Sequence, residues 1–354
     1  MASNGDLLTP AYLLLGSGSG VTIADDTVIT GSAGTVIARE GSPSSIPATN
    51  YGQLHQRVVT SEAGERYAFP AFLEEAVFDP ATNTGLFVGT LGAGQPSLVV
   101  REGDAAGGVS GAAFFQFLGE AVNSAGEIAM RANVTGTGSP PQQRGDITNA
   151  GNTSLPPVLV AREGAVAPCA PRNRVAFARF TTLHMNDDGS VVFHAYLKDA
   201  TGIPTVTSAN DGSIWRWSGG ALSLVAREGE LANNTAGARL LSINGFDCND
   251  VGGVVYDATL VPGVGDATTA TNQAVFVDRG ASDPAPLLVM RRNDSFDVDG
   301  TTHSVAGIKI STESNVGGGT GGYGRAINDS GDIVFNLTLS GNKSGIFILG
   351  TPPP

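Results

Sequence analysis

A short stretch returns along this chain at a nearly fixed distance. It reads Val36-Ile37-Ala38-Arg39-Glu40-Gly41, then Val99-Val100-Arg101-Glu102-Gly103, then Leu159-Val160-Ala161-Arg162-Glu163-Gly164, then Leu224-Val225-Ala226-Arg227-Glu228-Gly229. A last copy, Val289-Met290-Arg291-Arg292-Asn293, keeps the Arg and loses Glu-Gly. The arginines at 39, 101, 162, 227 and 291 are 62, 61, 65 and 64 residues apart. A period of that length means stacked copies of one supersecondary unit, none of which can bury its apolar face alone.

Each copy carries four strand signals. The first is a short apolar run such as Phe114–Phe117 or Val175–Phe180. A turn of the form Asn-x-x-Gly follows, at Asn123–Gly126, Asn186–Gly189, Asn249–Gly252 and Asn328–Gly331, with Ser61–Gly64 in the first copy. Asn opens such turns by capping nearby backbone N–H groups, and Gly closes them by accepting positive φ. Next comes an alternating strand: Ile128–Val134, Val191–Leu197, Val254–Leu260 and Ile333–Leu339, with Tyr67–Leu73 in the first copy. Period-two alternation gives it one apolar face, while the other turns polar halfway along. A hairpin then leads into the recurring stretch, as in Ile214–Trp217 turning through Ser218-Gly219-Gly220.

Four antiparallel strands per copy, about five times over, predict an all-β fold, a five-bladed β-propeller of four-stranded antiparallel blades. The blades run about 42–103, 104–164, 165–229, 230–293 and 294–350 plus 34–41. The last copy stops at Gly345–Gly350, half a hairpin, and the orphan stretch 34–41 is the matching half. The expectation is therefore a single domain over 34–350, closed by its own N-terminal strand, which removes two open sheet edges. Residues 1–33 form an extension with strand-like pieces at Ala11–Leu15 and Val21–Thr30, and 351–354 a Pro tail. A β-solenoid is the rival, but its coils take roughly 20–30 residues, so a copy here needs two.

The net charge is −13 with only three lysines, Lys198, Lys309 and Lys343. Such a field repels phosphate backbones, so nucleic acid is not an expected partner. No run approaches the roughly 18 apolar residues of a membrane helix. Cys169 and Cys248 fall on loops at opposite strand ends, so two free thiols are expected.

The copies resemble a family of bacterial secreted tandem-repeat proteins common in planctomycetes. Its members repeat Val-x-Arg-Glu-Gly-Asp followed by Asn-x-x-Gly-x-Val-Ala-Phe-x-Ala. Leu98–Asp104 with Asn123–Ala132 and Asn186–Ala195 carry the match, which covers about 35–349. The resemblance implies an exported repeat fold and no catalytic residue.

The Arg-Glu pairs (Arg39, Glu40, Arg101, Glu102, Arg162, Glu163, Arg227, Glu228) and the turn residues Asn123, Asn186, Asn249 and Asn328 read as structural. One repeat position on the alternating strand holds Arg131, His194, Asp257 and Asn336, with Pro70 in the first copy. Facing a channel, these four would form a ligand-binding ring; otherwise they form a polar seam. His184 and His194 flank the Asn186 turn, and pairing 184 with 191 puts their rings on opposite faces, against a metal site. Asp294, Asp297 and Asp299-Gly300 match part of a calcium loop without its full spacing, which leaves a structural calcium as the one cofactor in question. Ser208–Trp215 resembles the Asp-box hairpin of some propellers. No nucleophile elbow appears, and Gly317–Gly324 leads into no helix that would receive a phosphate.

The resulting expectation is a non-enzymatic extracellular or cell-surface propeller that binds or self-assembles. Its partner is itself, through the N-terminal extension, or a surface polysaccharide or protein. The alternative is a lectin or carbohydrate-active enzyme with its site at the propeller channel.

Overall fold

The computed structural model describes residues 8–55, 57–61, 64–77, 79–136, 144–150, 157–168, 175–200, 206–280, 285–310 and 325–350. Strands dominate, and no α-helix occurs among the described residues. Among the described residues no helix is long and apolar enough to cross a membrane. The chain divides into two compact units, one up to Glu163 and one from Gly164 onward.

The first unit holds three sheets. β1 (Thr9–Tyr12), β2 (Thr27–Thr30) and β3 (Val36–Arg39) form a small one. β4 (Asn50–Leu54), β5 (Val59–Thr60), β6 (Arg66–Glu74), β7 (Thr84–Thr90) and β8 (Ser97–Arg101) form the second, with β5 pairing β6 beside β4. β9 (Ala113–Val122), β10 (Ile128–Thr135), β11 (Arg144–Ala150) and β12 (Val158–Arg162) form the third.

The second unit also holds three. They are β13 (Val175–Met185), β14 (Val191–Asp199), β15 (Gly212–Ser218) and β16 (Ala221–Arg227); β17 (Leu240–Cys248), β18 (Val254–Leu260), β19 (Gln273–Asp278) and β20 (Leu287–Arg291); and β21 (Ser295–Val298), β22 (Thr301–Ile310), β23 (Ile333–Leu339) and β24 (Lys343–Leu349). Each is an antiparallel meander in chain order.

Alternation explains how the sheets stack within a unit. On β18, Val254, Tyr256, Ala258 and Leu260 join a core with Val192, Ile214 and Val225 of the preceding sheet. Val255 points the other way, into a core with Val305, Phe335 and Leu337 of the following one. On β19, Phe276 belongs to the first core and Val275 and Val277 to the second. The first unit repeats the device: Tyr67, Phe69 and Ala71 pack with Ile29 and Ala38, while Ala68 packs with Phe114 and Met130. A central sheet thus spends both faces on its neighbours, and each fully buried Phe contributes about 2–3 kcal/mol.

The turns carry the chemistry expected of them. Asn123, Asn186, Asn249 and Asn328 each accept, on Oδ1, the N–H four residues on, at 2.8, 2.8, 2.6 and 2.8 Å. Ser61 does the same through Oγ to Arg66 N at 3.1 Å, one residue later. The closing glycines sit at φ near 83°, as Gly126 does, where a Cβ is disfavoured. In the second unit the turns also hold each other. Asn186 Nδ2 donates to Asn249 O at 3.3 Å and Asn249 Nδ2 to Asn328 O at 2.9 Å. Asp187 N donates to Asp250 Oδ1, and Asp250 N to Asp329 Oδ1, both at 2.8 Å.

The recurring Arg-Glu pair binds the start of the strand beside it. The Nε of Arg39, Arg101, Arg227 and Arg291 donates to the carbonyl of Asp25, Thr82, Asn210 and Thr271, each two residues before the first residue of the preceding strand. Glu40 accepts from Thr27 N and Oγ1, Glu102 from Thr84, and Glu228 from Gly212 N at 2.9 Å. Glu228 also accepts from Ile243 N of the following sheet at 3.3 Å. Arg162 lies opposite Asp146 in the β11–β12 register.

Two expectations are corrected. The closing strand does not join the last sheet: Val36–Arg39 takes its ladder from β2, with Ile29 opposite Ala38, and β24 is an edge strand paired to β23. The local hairpin prevails because a 3-10 turn at Ser32–Gly34 joins its strands, which costs little loop entropy. The extension's strands are accordingly β1 and β2, shorter than 11–15 and 21–30. The β13–β14 register also differs by one, with His184 opposite Val192 rather than Val191, because Asn186 N pairs with Ser190 O across the turn.

Cys248 is a buried free thiol, and Cys169 lies outside the described residues, as does the Gly317–Gly324 stretch.

Candidate functional site

A β-bulge meets the polar position of the alternating strand in three sheets. Leu118 is the extra residue across from Arg131, Thr181 and Thr182 together face His194, and Asn244 is the extra residue beside Asp257. Bulges re-aim side chains and free backbone groups, so each bulge supplies a partner. Leu118 O accepts from Arg131 Nη2 at 3.4 Å. Thr181 Oγ1 and His194 Nδ1 share a hydrogen bond of 2.8 Å. Asn244 hydrogen-bonds the Asp257 carboxyl.

The four positions fall in three surroundings. Arg131 belongs to the first unit, beside Arg57. His194 stands edge-on to Tyr196 at 5.0 Å, with Arg179 stacked 3.8 Å above the same ring. Burial, then the Arg179 charge, push the His194 imidazole down to about 4, so it is neutral at neutral pH. Asp257 and Asn336 come together.

They line one cleft of about 480 Å³ with Asn244, Gln273, Lys309 and Thr338. β17, β18, β19, β22 and β23 position these groups. Lys309 lies directly opposite Asn336, and Thr259 opposite Gln273. Ala258, Ile308 and Gly307 supply the apolar part of the wall. Asp257 is 7% exposed, and burial lifts its carboxyl from an ordinary 3.8 to about 6. Its own backbone amide, Asn244 and the Lys309 ammonium pull the other way. The cleft therefore holds an acid that titrates near pH 6 and a cation, among amides and a hydroxyl.

A larger groove of about 630 Å³ lies along β16, lined by Arg227, Leu231 and Tyr256 among others. Its buried polar floor is already paired, since Arg216 Nη1 bonds Asp278 Oδ1 at 2.7 Å and Gly252 O at 2.9 Å.

The remaining candidates are turn and core groups. His184 is buried edge-on to Phe246, 3.6 Å from Asp247 Oδ1. Asp294 Oδ2 accepts from Arg291 N and Asp297 Oδ1 from Gly300 N, each closing its own turn. Among the described residues no group of three His, Cys, Asp or Glu side chains is placed to hold a metal. Trp215 Nε1 donates to Ser213 Oγ at 2.8 Å inside the Asp-box-like hairpin. Sequence reasoning missed Asn244, Gln273 and Lys309. Only Lys309 carried a signal, as one of three lysines in the chain.

A family of unknown function, DUF7453, matches residues 17–352. The chain belongs to that family. No curated protein matches this DUF7453 chain in sequence. Among solved structures it is similar to an oligogalacturonate lyase in complex with manganese, at 12% identity over 94% of this chain and 73% of the lyase, TM-score 0.39. It is similar to polysaccharide lyase Uly1 at 10% identity over 98% of this chain and 75% of the other, TM-score 0.42. The Dos1 propeller matches at 8% identity over 92% and 74%, TM-score 0.32. No activity passes to this chain from likenesses of that degree.

Proposed function

We propose that this chain is an exported bacterial binding module of the β-propeller type, and that a hydroxyl-rich saccharide occupies the Asp257 cleft. The observation that carries the reading is the cleft's lining. Asn244, Gln273, Asn336 and Thr338 each offer donors and acceptors, as sugar hydroxyls do. Ala258 and Ile308 offer the apolar surface that C–H faces of a sugar need. The size falls within the roughly 300–1,000 Å³ of small-molecule sites. The cleft has one carboxyl, Asp257, which orients and hydrogen-bonds rather than cleaves. Blades built from successive sheets suit this role, because the cleft sits where two stacked sheets of the second unit meet.

A glycan array, followed by calorimetry on any hit, tests the reading. Asn336→Ala and Lys309→Ala should each weaken binding at least tenfold with the fold intact. A wild-type protein that binds no glycan, or folded variants that bind equally well, would overturn it.

A second reading is self-assembly at the cell surface. Edge strand β24 exposes Ile346 and Ile348 at 73% and 72%, and Tyr12, Leu14 and Leu15 are exposed at the extension. Unpaired edges with apolar side chains invite strand addition. Sedimentation of the full chain and of a chain lacking residues 1–30 decides it. A full-length monomer, or an oligomer unchanged by the deletion, rules out assembly through the extension.

A further inference from the structure

The Asp257 cleft holds a cation that its own acid does not neutralise. Lys309 lies on β22 opposite Asn336, and its exposed ammonium has no hydrogen-bond or ion-pair partner among the described residues. Asp257 senses that ammonium's field but bonds Asn244 and its own backbone amide instead. With 33 Asp and Glu against 20 Lys and Arg, acceptors outnumber cations, so an unpaired cation in a cleft is the exception. Arg216 in the same unit shows the rule, meeting Asp278 at 2.7 Å. Gly307 keeps the space beside Lys309 open. It follows the extra residue Ala306 of a β22 bulge. A Cβ on it would lie 3.6 Å from Thr338 Cβ and 3.8 Å from Gln273 Oε1, in room that a ligand can use.

The surrounding strands add no second charge. β17 presents Asn244 to the cleft, β19 Gln273, and β23 Asn336 and Thr338, none of which titrates. Lys309 is the one charge among the described residues that acts on Asp257. The other titratable groups of these strands are engaged away from the cleft. Asp247 accepts from the N–H groups of Cys248 and Ala326, Asp278 from Arg216, and His303 lies beside Lys343. Cys248 and Tyr256 lie in the core.

Burial keeps the Asp257 carboxyl neutral up to about pH 6. Below that pH the cleft has a net positive charge and an O–H donor. Above it the two charges offset each other and the donor is gone. A ligand carboxylate suits the first state, since it gains a counter-charge and a charge-assisted hydrogen bond, while ring hydroxyls meet the amides. A neutral sugar gains neither. We propose, resting on the saccharide reading of this cleft, that its ligand is an acidic saccharide whose carboxylate is held by Lys309 Nζ and the Asp257 carboxyl, and that ionisation of Asp257 releases it.

Calorimetric titration of the full chain at pH 5 and pH 8 tests this with methyl glucuronoside and methyl galacturonoside, each against its neutral hexoside. Both acids are ionised at either pH, so a change with pH belongs to the protein. Asp257 is about nine tenths neutral at pH 5 and about one hundredth at pH 8, so affinity for the acid should fall at least tenfold between them. At pH 5 wild type should bind one of the acids at least tenfold more tightly than its neutral counterpart. Asp257→Asn should bind that acid at pH 8 as wild type does at pH 5, and Lys309→Gln should lose most of the preference. Gly307→Val should keep the near-ultraviolet dichroism of wild type and bind none of the sugars. The pH profile of Asp257→Asn decides the matter if Gly307→Val does not fold. Equal binding of acid and neutral sugar, or acid binding that does not weaken at pH 8, overturns the proposal and leaves the saccharide reading standing. Binding of none of these sugars also overturns it, and a glycan-array hit blocked by Gly307→Val would then still uphold that reading. Sugar binding unchanged in folded Gly307→Val overturns both.

Discussion

Asp257→Asn should make the second unit more stable at pH 8 and leave it unchanged near pH 3.5. The folded carboxyl titrates at about 6 against an ordinary 3.8, and its burial makes the charged form the unfavourable one. Because the folded value is raised, the folded state holds the proton more tightly than the unfolded chain. Stability is therefore full below 3.8 and is lost as pH rises through about 6. A shift of that size corresponds to roughly 3 kcal/mol, and relaxation around the open cleft brings the expected gain of the Asn variant to about 2 kcal/mol at pH 8. Asn keeps the shape and can still bond Asn244. The chain has two tryptophans, Trp215 and Trp217, both on β15 of the second unit, so their fluorescence reports this unit's unfolding in urea. Wild type and variant should converge below about pH 3.8, draw apart between there and about pH 6, and keep a constant gap above it. A variant less stable than wild type at pH 8, or a gap that does not change with pH, would refute the argument.

Three further outcomes follow from the repeat's polar bonds and one buried thiol. Asn249→Ala removes a cap to Gly253 N and a link to Asn328 O at a 2% exposed site, and should cost about 2–3 kcal/mol by urea unfolding. Asn328→Ala, at an exposed turn whose partner is Asp332, should cost under about 1 kcal/mol in the same assay. Glu228→Ala strands the N–H groups of Gly212 and Ile243 and should cost about 1–3 kcal/mol, with Glu228→Gln recovering part of the loss. Burial and Asp247 push the Cys248 thiol well above its usual range, so in a Cys169→Ser chain a thiol reagent should react only at the rate of unfolding.

What could be read from residues alone was local. Asn at the first turn position and Gly at the fourth act within five residues, so their spacing reveals their bonds, and Ser61 shows the same chemistry one residue longer. The Arg-Glu pair gave its position but not its partners. Arg39, Arg101, Arg227 and Arg291 bond backbone carbonyls, which any residue offers, so Asp25, Thr82, Asn210 and Thr271 share no signature. Pattern alone does not place Val36–Ala38, which suits two sheets equally well, and only the Ser32–Gly34 turn selects β2. The bulges at Leu118, Thr181–Thr182 and Asn244 left no mark in the alternation, yet they decide what each polar residue touches.

A chain of copies offers an internal control that single folds lack. Where the copies agree, as at Glu40, Glu102 and Glu228, the bonds hold strands in place. Where a copy departs from the pattern, the departure marks a functional or a strained site, and a substitution that restores the pattern tells the two apart. Glu120, a buried acid bonded to Arg57, is such a case where a sister copy has Leu183. Replacing the pair by Glu120→Leu and Arg57→Met restores the apolar pattern. Exchanging a buried ion pair for apolar side chains is neutral or stabilising by about 1–4 kcal/mol. The double variant should therefore melt no lower than wild type. A large fall in its melting temperature would mean that the pair serves the fold of the first unit, and that the departure at Glu120 is architectural after all.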